Sequence, residues 1–543
     1  MIRLPIPFLP FEALTSPKMA QNDTNRSSFS AAEAHETRSL NDSAAPTTAG
    51  MSSRTPLPCS CKAWRRKGKG ESNRLAVIEE PDGSTVDLPF TELTGDLLKG
   101  TFADDPRWIW FADHSKSPAA PCGAELLAKF GLTNAEPLHL SETDALRFIR
   151  DGRWDGIGLD PKFMAEAARL CDHLLPAARA TNCSNILIRE TDGTITGDFT
   201  IGTGLLKMLP AMGLTICQTR ALFLTEEALE PLAAGLARLL TALGAPQAKV
   251  IRIDHPLSAD AAKRIEGAEG FSLLFNATNL GRAPNTDQMP IESAEVFQCF
   301  PKLKAVLDSV DEPVRPRLIW EAQQRGLEAR TTLGLRVVVA REAMELFAGR
   351  TLPLCATRSI LCDIRREASN IVLIGMPGCG KTTIGKCVAA RLLRPFIDLD
   401  ALVERRVGKS SERIYREDGE EYFRDFESEI IKELSGRHGL VISTGGGACL
   451  RPENRMRLAL NGTFYWLQRP LDHLSTYQRP LSQARGVEAL YEERSPIFEK
   501  IAERIIEVQS VEDNGRSADW RNSLQTLLTA LHPADPPNFR TDT

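Results

Sequence analysis

Three absences narrow this 543-residue sequence before any motif is read. No apolar run approaches the ~20 residues that a membrane-spanning helix needs, so no membrane partner is expected. No long stripe of lysine and arginine is present and the net charge is −5, so no nucleic-acid partner is expected either. The short run Arg65-Arg66-Lys67-Gly68-Lys69 reads as a solvated linker. Of twelve cysteines, most stand singly inside apolar stretches. Cys59-Ser60-Cys61 has no second pair at metal spacing, which argues against a zinc site.

What is present is ordinary for a globular chain: 42 % apolar and 25 % charged residues, over a length that suits two to four domains. Residues 1–72 are the exception. They are rich in Ser, Thr, Asn, Ala and Pro, lack periodicity, and are expected to be disordered. An N-terminal transit peptide is a weak alternative, because no arginine-rich amphipathic pattern appears there.

The strongest signal lies at 371–400. An apolar run, Asn370-Ile371-Val372-Leu373-Ile374, leads into Gly375-Met376-Pro377-Gly378-Cys379-Gly380-Lys381-Thr382-Thr383 and then into helical spacing from Ile384 to Leu393. This is G-x-x-x-x-G-K-[ST] in the context of strand, loop and helix that it requires. Gly378, Cys379, Gly380, Lys381, Thr382 and Thr383 would offer backbone N–H groups and a helix start to phosphates. Lys381 would reach the β/γ-phosphates of ATP, and the Thr382 hydroxyl would ligate Mg2+. A free cysteine inside such a loop suits a reducing compartment, and the chain reads as cytoplasmic.

The residues downstream supply an acceptor site. Phe396-Ile397-Asp398-Leu399-Asp400 reads as a strand with alternate carboxylates, which would put Asp398 and Asp400 on one face. Asp398 would hold the metal and Asp400 a substrate hydroxyl. Arg424 and Glu427, three apart, would share a helix face, leaving the guanidinium pre-oriented for a carboxylate. Gly445-Gly446-Gly447, after the strand Leu440-Val441-Ile442, would let a small substrate approach the backbone. Gln478-Arg479-Pro480-Leu481 reads as a lid, and Arg494-Ser495-Pro496 opens a last region that ends at Ile505-Ile506.

Taken in order, these motifs resemble the shikimate kinase family across about 140 residues. The resemblance implies MgATP as donor and shikimate as acceptor. It implies that Asp400, Arg424, Gly445, Gly446, Gly447 and Arg494 hold the acid, and that Lys381, Asp400 and Arg479 carry catalysis, with Arg479 closing on the phosphates. Between Tyr465-Trp466-Leu467 and Arg479 the chain is shorter than is common, and the family's adenine-stacking arginine has no counterpart. Leu471 to Tyr477 are expected to supply that contact.

Residues 73–365 alternate short apolar runs, from Ala76-Val77-Ile78 to Leu273-Leu274-Phe275, with helical stretches, which predicts α/β layering with a largely parallel sheet. His114-Ser115-Lys116-Ser117-Pro118, Asn185 with Asp192-Gly193 and Gly197 to Gly204, Asn276-Ala277-Thr278, and Gly334-Leu335 resemble the shikimate dehydrogenase family in order and spacing. The family's catalytic Asp falls on Ile201 and its catalytic Lys on Phe163, with Lys162 expected to point away. A substrate-binding Gln falls on Arg341, and Thr225-Glu226-Glu227 stands where the dinucleotide glycines belong. Two carboxylates there would repel a pyrophosphate. The expected organisation is a disordered 1–72, a two-lobed dehydrogenase-like α/β domain at 73–365 with a Rossmann-like lobe and no activity, a P-loop kinase domain with a parallel sheet at 366–512, and a packing helix and tail at 513–543.

Other readings stay open from sequence alone. The first domain is either an inert scaffold or a sensor keeping Ser115, Ser117 and Asn185. The kinase could take another small hydroxy acid, or the whole chain could be a metabolite-responsive regulator.

Overall fold

The apolar runs become the strands of three sheets in a computed structural model that describes residues 107–111, 121–349, 351–474, 480–508 and 520–530. The first 72 residues, Ala76-Val77-Ile78, Ser115, Ser117, Arg479 and the end of the chain lie outside these described residues. No described helix is long and apolar enough to cross a membrane.

The first sheet contains β1 (Trp108–Phe111), β2 (Glu136–Leu138), β3 (Gly156–Gly158), β4 (His173–Leu174), β5 (Ile186–Arg189) and β6 (Ile195–Asp198), in the order 2-1-3-5-6-4. It is mixed rather than parallel: β5 pairs antiparallel with both β3 and β6. The cause is local. Asp192-Gly193 makes a tight turn between β5 and β6, with Gly193 at φ +85° and the Glu190 N–H bonded to Thr194 O at 2.8 Å. A short hairpin turn can join only antiparallel strands.

The second sheet is fully parallel: β7 (Ala221–Thr225), β8 (Lys249–Arg252), β9 (Leu273–Ala277), β10 (Ala305–Asp308) and β11 (Glu328–Thr331), in the order 11-10-9-7-8. β7, β9 and β10 are buried along their whole length, as strands covered on both faces must be. Three helices follow from here into the next sheet's neighbourhood: α1 (Arg317–Gln323), α2 (Leu333–Ala348) and α3 (Leu354–Ala368).

The third sheet is also parallel: β12 (Asn370–Ile374), β13 (Phe396–Asp398), β14 (Val441–Ser443), β15 (Gly462–Gln468) and β16 (Arg504–Glu507), in the order 13-14-12-15-16. β12 is central and buried throughout. Its one polar member, Asn370, satisfies both ends of its amide, on Arg437 O at 2.8 Å and Leu440 N at 2.9 Å. The register Leu373↔Ser443 and Asp398↔Ser443 brings the ends of β12, β13 and β14 to one edge. Ligands bind at that edge in open α/β sheets.

The helices around it are α4 (Lys381–Leu392), α5 (Leu399–Val407), α6 (Glu420–Leu434), α7 (Pro452–Asn461), α8 (Val487–Ile501) and α9 (Trp520–Ala530). In α9, Leu527 is fully buried and Ser523 Oγ donates to Glu507 O at 3.1 Å.

Buried and half-buried polar contacts join the second and third sheets. Thr286 and Ser435 share a hydroxyl hydrogen bond of 2.7 Å, and Glu312 Oε1 lies 2.8 Å from His438 Nε2. The Val314 N–H donates to Asn461 Oδ1 at 2.7 Å, and Asp287 pairs with Arg457 at 3.2 Å. Ser435 directly follows α6, so that helix runs from this junction towards the binding edge.

Candidate active site

The loop after β12 turns at Gly375, φ +142°, where a Cβ would lie 2.5 Å from Leu467 O. Gly380, φ +103°, caps α4 in the left-handed region, which glycine enters without strain. Lys381 is buried, and its Nζ donates to Gly375 O and Met376 O, both at 2.9 Å. It therefore braces the loop from inside.

Beside it, Thr382 Oγ1 donates to Asp398 Oδ2 at 2.7 Å. The two predicted metal-binding groups are thus together. Among the described residues no cluster of three or more His, Cys, Asp or Glu could hold a metal. One carboxylate and one hydroxyl nonetheless fit Mg2+, which takes few protein ligands and completes its shell with water and nucleotide phosphates.

The predicted strand face of Asp398 and Asp400 needs correction. β13 stops at Asp398, whose Oδ1 accepts from Ala401 N at 3.2 Å and caps α5. Asp400 is in the first turn of that helix, not on the strand. An N-cap aspartate ends a strand by satisfying the first helical N–H groups, and this outweighs the alternating pattern. Asp400 still reaches the same edge, open to solvent on one side, with Oδ1 2.4 Å from where a Cβ on Gly445 would stand. Protein atoms crowding the carboxyl and withholding water from it, then the Glu427 and Asp398 carboxylates, push its pKa up to about 7.

Arg424, on α6, donates from Nη1 to Glu427 Oε2 at 2.8 Å and from Nη2 to Glu420 Oε1 at 3.1 Å. The shared helix face therefore holds, and Glu420 adds a second carboxylate that the three-residue spacing did not single out. Arg494, on α8, is only 1 % exposed. Its Nε and Nη2 have no hydrogen-bond partner. Burial and then the nearby Arg424 charge pull its pKa down, so its cationic form is costly until an anion arrives.

The three glycines face these groups one by one. A Cβ on Gly445 would meet Asp400 and Glu427, one on Gly446 would lie 2.7 Å from Arg494 Nη1, and one on Gly447 would lie 2.2 Å from Arg424 Nη2. Any side chain there would fill the space between backbone and charge. The result is two guanidiniums and one carboxylate, its pKa near 7, gathered around the glycine turn.

Two residues were not legible in advance. Arg451 ties the glycine turn to α6, donating from Nη1 to Arg424 O and Ser428 Oγ, both at 3.0 Å. Arg469, at the end of β15, donates from Nη1 to Gly378 O at 3.4 Å, and its buried Nε has no partner. Its position beside β12 was the only available signal.

The family model for shikimate kinase matches residues 377–527. A shikimate kinase from Ralstonia nicotianae is 44 % identical over 150 residues, 26 % of this chain and 79 % of that protein. The chain belongs to the shikimate kinase family. The family acts as ATP-dependent kinases, and this chain is one of them. A bifunctional shikimate kinase/3-dehydroquinate synthase from Thermotoga maritima is 40 % identical over 164 residues, covering 30 % of this chain and 32 % of that protein. Among solved structures, a shikimate kinase from Acinetobacter baumannii in complex with shikimate matches 32 % of this chain and 97 % of its own, at 30 % identity and TM-score 0.28. A shikimate 5-dehydrogenase from Listeria monocytogenes in complex with shikimate and NAD matches 47 % and 96 %, at 19 % identity and TM-score 0.37.

A second cleft, of about 320 Å³, opens between the first and second sheets. Ile201 and Asn185 line it, but so does Lys162, whereas Phe163 is buried against Phe111. Lys162 is thus a lining residue of the cleft, with its Nζ 4.9 Å from the centroid of the Phe163 ring. Pro161-Lys162-Phe163 is a 3-10 turn, and its apolar member takes the core. The Asn185 amide is fully engaged, donating to Thr200 Oγ1 at 2.9 Å and accepting from Ile201 N at 3.2 Å. Glu226 accepts from the Asn279 N–H at 3.0 Å, so a carboxylate stands at the mouth of β7 and β9.

Proposed function

We propose that this chain transfers the γ-phosphoryl group of MgATP to the 3-hydroxyl of shikimate, giving ADP and 3-phosphoshikimate. The single observation that carries the acceptor is Arg494, fully buried with two unpartnered N–H groups, aimed with Arg424 into a space kept open by Gly445-Gly446-Gly447. Two forks converging on one small site suit a carboxylate on a compact ring.

Arg424 and Arg494 hold the acid, and Asp400 orients the attacking hydroxyl. With its pKa raised to about 7, Asp400 can take that proton as the new O–P bond forms and the bond to the ADP oxygen breaks. Lys381 leaves the loop carbonyls for the β/γ-phosphates, and Arg479 closes over them. Thr382 and Asp398 would hold Mg2+, which offsets charge on the phosphoryl oxygens when bound. Of Leu471 to Tyr477, expected to meet the adenine, residues 475–477 lie outside the described residues; Arg469, already on the phosphate loop, adds a contact for the nucleotide. In this reading the protein works in the cytoplasm, and the first two sheets form a dehydrogenase-like body with no hydride transfer. Support for that is Ile201 in the cleft and Glu226 at the β7/β9 switch point.

A coupled ADP-release assay over a panel of hydroxy acids tests the acceptor. Turnover should be confined to shikimate; faster turnover of gluconate or another open-chain acid would overturn the assignment.

A further inference from the structure

A large crevice, about 1350 Å³, lies between the second sheet and the far end of the third. Its walls include β11, α1 and α3 on one side and the first residues of β12, β15 and β16 on the other. It is therefore at the amino ends of the third sheet's strands, opposite the edge that carries the phosphate loop.

Its charge runs against that of the chain. Eight arginines and lysines line it against three glutamates, in a protein of net charge −5. The glutamates do little to balance them. Glu367 is engaged by Lys129 at 3.2 Å, Glu503 reaches Arg315 only at 3.7 Å, and Glu328 reaches Arg330 only at 3.7 Å. Arg366 is paired with Asp363 at 2.5 Å, and several guanidiniums are also held by neutral carbonyls. Arg394 donates to Ser369 O at 2.8 Å and Arg366 O at 2.6 Å, and Arg330 donates to Ala211 O at 2.9 Å. A carbonyl orients a cation without cancelling its charge. Burial also pulls the pKa of Arg365 down, with like-charge repulsion from Arg330 and Arg315 set against attraction from Cys362 and Asp311.

Fixed cations gathered in a partly desolvated crevice repel one another unless an anion joins them. The space exceeds the roughly 300–1,000 Å³ of common small-molecule pockets. Half-buried Trp320 on one wall adds an apolar surface. Arginine forks match phosphate oxygens two at a time.

We propose that this crevice binds a small molecule bearing two or more phosphate groups, or one phosphate with a carboxylate, at a site separate from the phosphate loop. Both the nucleotide and the phosphorylated product of the proposed reaction have that chemistry.

The test uses the full chain carrying Lys381→Ala, which weakens the phosphate loop. Inorganic pyrophosphate is titrated in by calorimetry. Saturable binding is expected, falling steeply with salt and weakened at least tenfold when Arg330→Gln and Arg504→Gln are added. The same double substitution in the chain with Lys381 intact should retain turnover, which separates this site from the active site. ADP and the phosphorylated acid then compete with pyrophosphate; the tighter of them names the source, and either result upholds the site. If the double variant does not fold, Arg504→Glu alone, on an exposed side chain, should produce the same loss. Absence of saturable binding, or binding unmoved by the crevice substitutions, overturns the proposal.

Discussion

At the scale of single residues, the site depends on charges that burial makes expensive. Arg494 has unpartnered N–H groups in the interior, and Arg424 is pre-paired with Glu427 and Glu420. Arg424→Lys keeps the charge and loses the fork, so KM for shikimate should rise by the equivalent of about 1.5–3 kcal/mol, with kcat changed less. Steady-state kinetics check this, and an unchanged KM would move the carboxylate elsewhere. Asp400 offers a pH signature. Its pKa is raised in the folded chain to about 7 from an ordinary 3.8, so the folded state holds its proton more tightly than the unfolded state. That stabilisation is complete below about pH 4 and is lost as pH rises towards 7. Asp400→Asn should therefore raise Tm relative to the parent more at pH 8 than at pH 4, while removing most of kcat. In the parent, kcat/KM should climb with pH and level off above about 7. A flat profile with normal acceptor binding would deny Asp400 the proton.

Elements show where sequence reading succeeds and where it stops. β12, the loop and α4 were legible because strand, glycines and helix each carry a local signal that agrees with the others. The Arg424–Glu427 face was legible from helical spacing. Asp400 was misplaced because alternation and an N-cap share the same pattern, and only the chain's turn at Asp398 separates them. At Lys162 and Phe163 one register step in a 3-10 turn decides which residue takes the core and which lines the cleft. Arg469 and Arg451 act across sheet neighbours, which no local pattern encodes. The glycine turn yields a prediction at this scale. Gly446→Ala puts a methyl 2.7 Å from Arg494 Nη1 and 2.8 Å from the Pro377 ring. At least a tenfold loss in kcat/KM is expected with little change in far-UV circular dichroism; retained activity would mean that the space is not the acceptor site.

On the scale of the whole molecule, the junction between second and third sheets is made of specific polar pairs. A chain beginning at residue 366 would lose the partners of Ser435, His438 and Asn461. Water would take the place of those partners, so at roughly 0.5–1.5 kcal/mol for each lost pair its melting temperature should fall by a few degrees below that of the same transition in the full chain. Calorimetry of both chains decides it, and equal melting temperatures would make the first two sheets a passenger. Ser435→Ala in the full chain should give a smaller fall of the same sign. The anchoring of α6 has one more consequence. A helix normally frays at its last turn, where carbonyls lack partners. Here the turn after α6 is fastened by Thr286, and Asn461 Nδ2 donates to Ser435 O at 2.7 Å, while the opening turns are held through Arg424 and Arg451. Amide deuterium uptake along α6 should therefore lack the usual gradient towards its C-terminus, with its last turns opening only when the second and third sheets part.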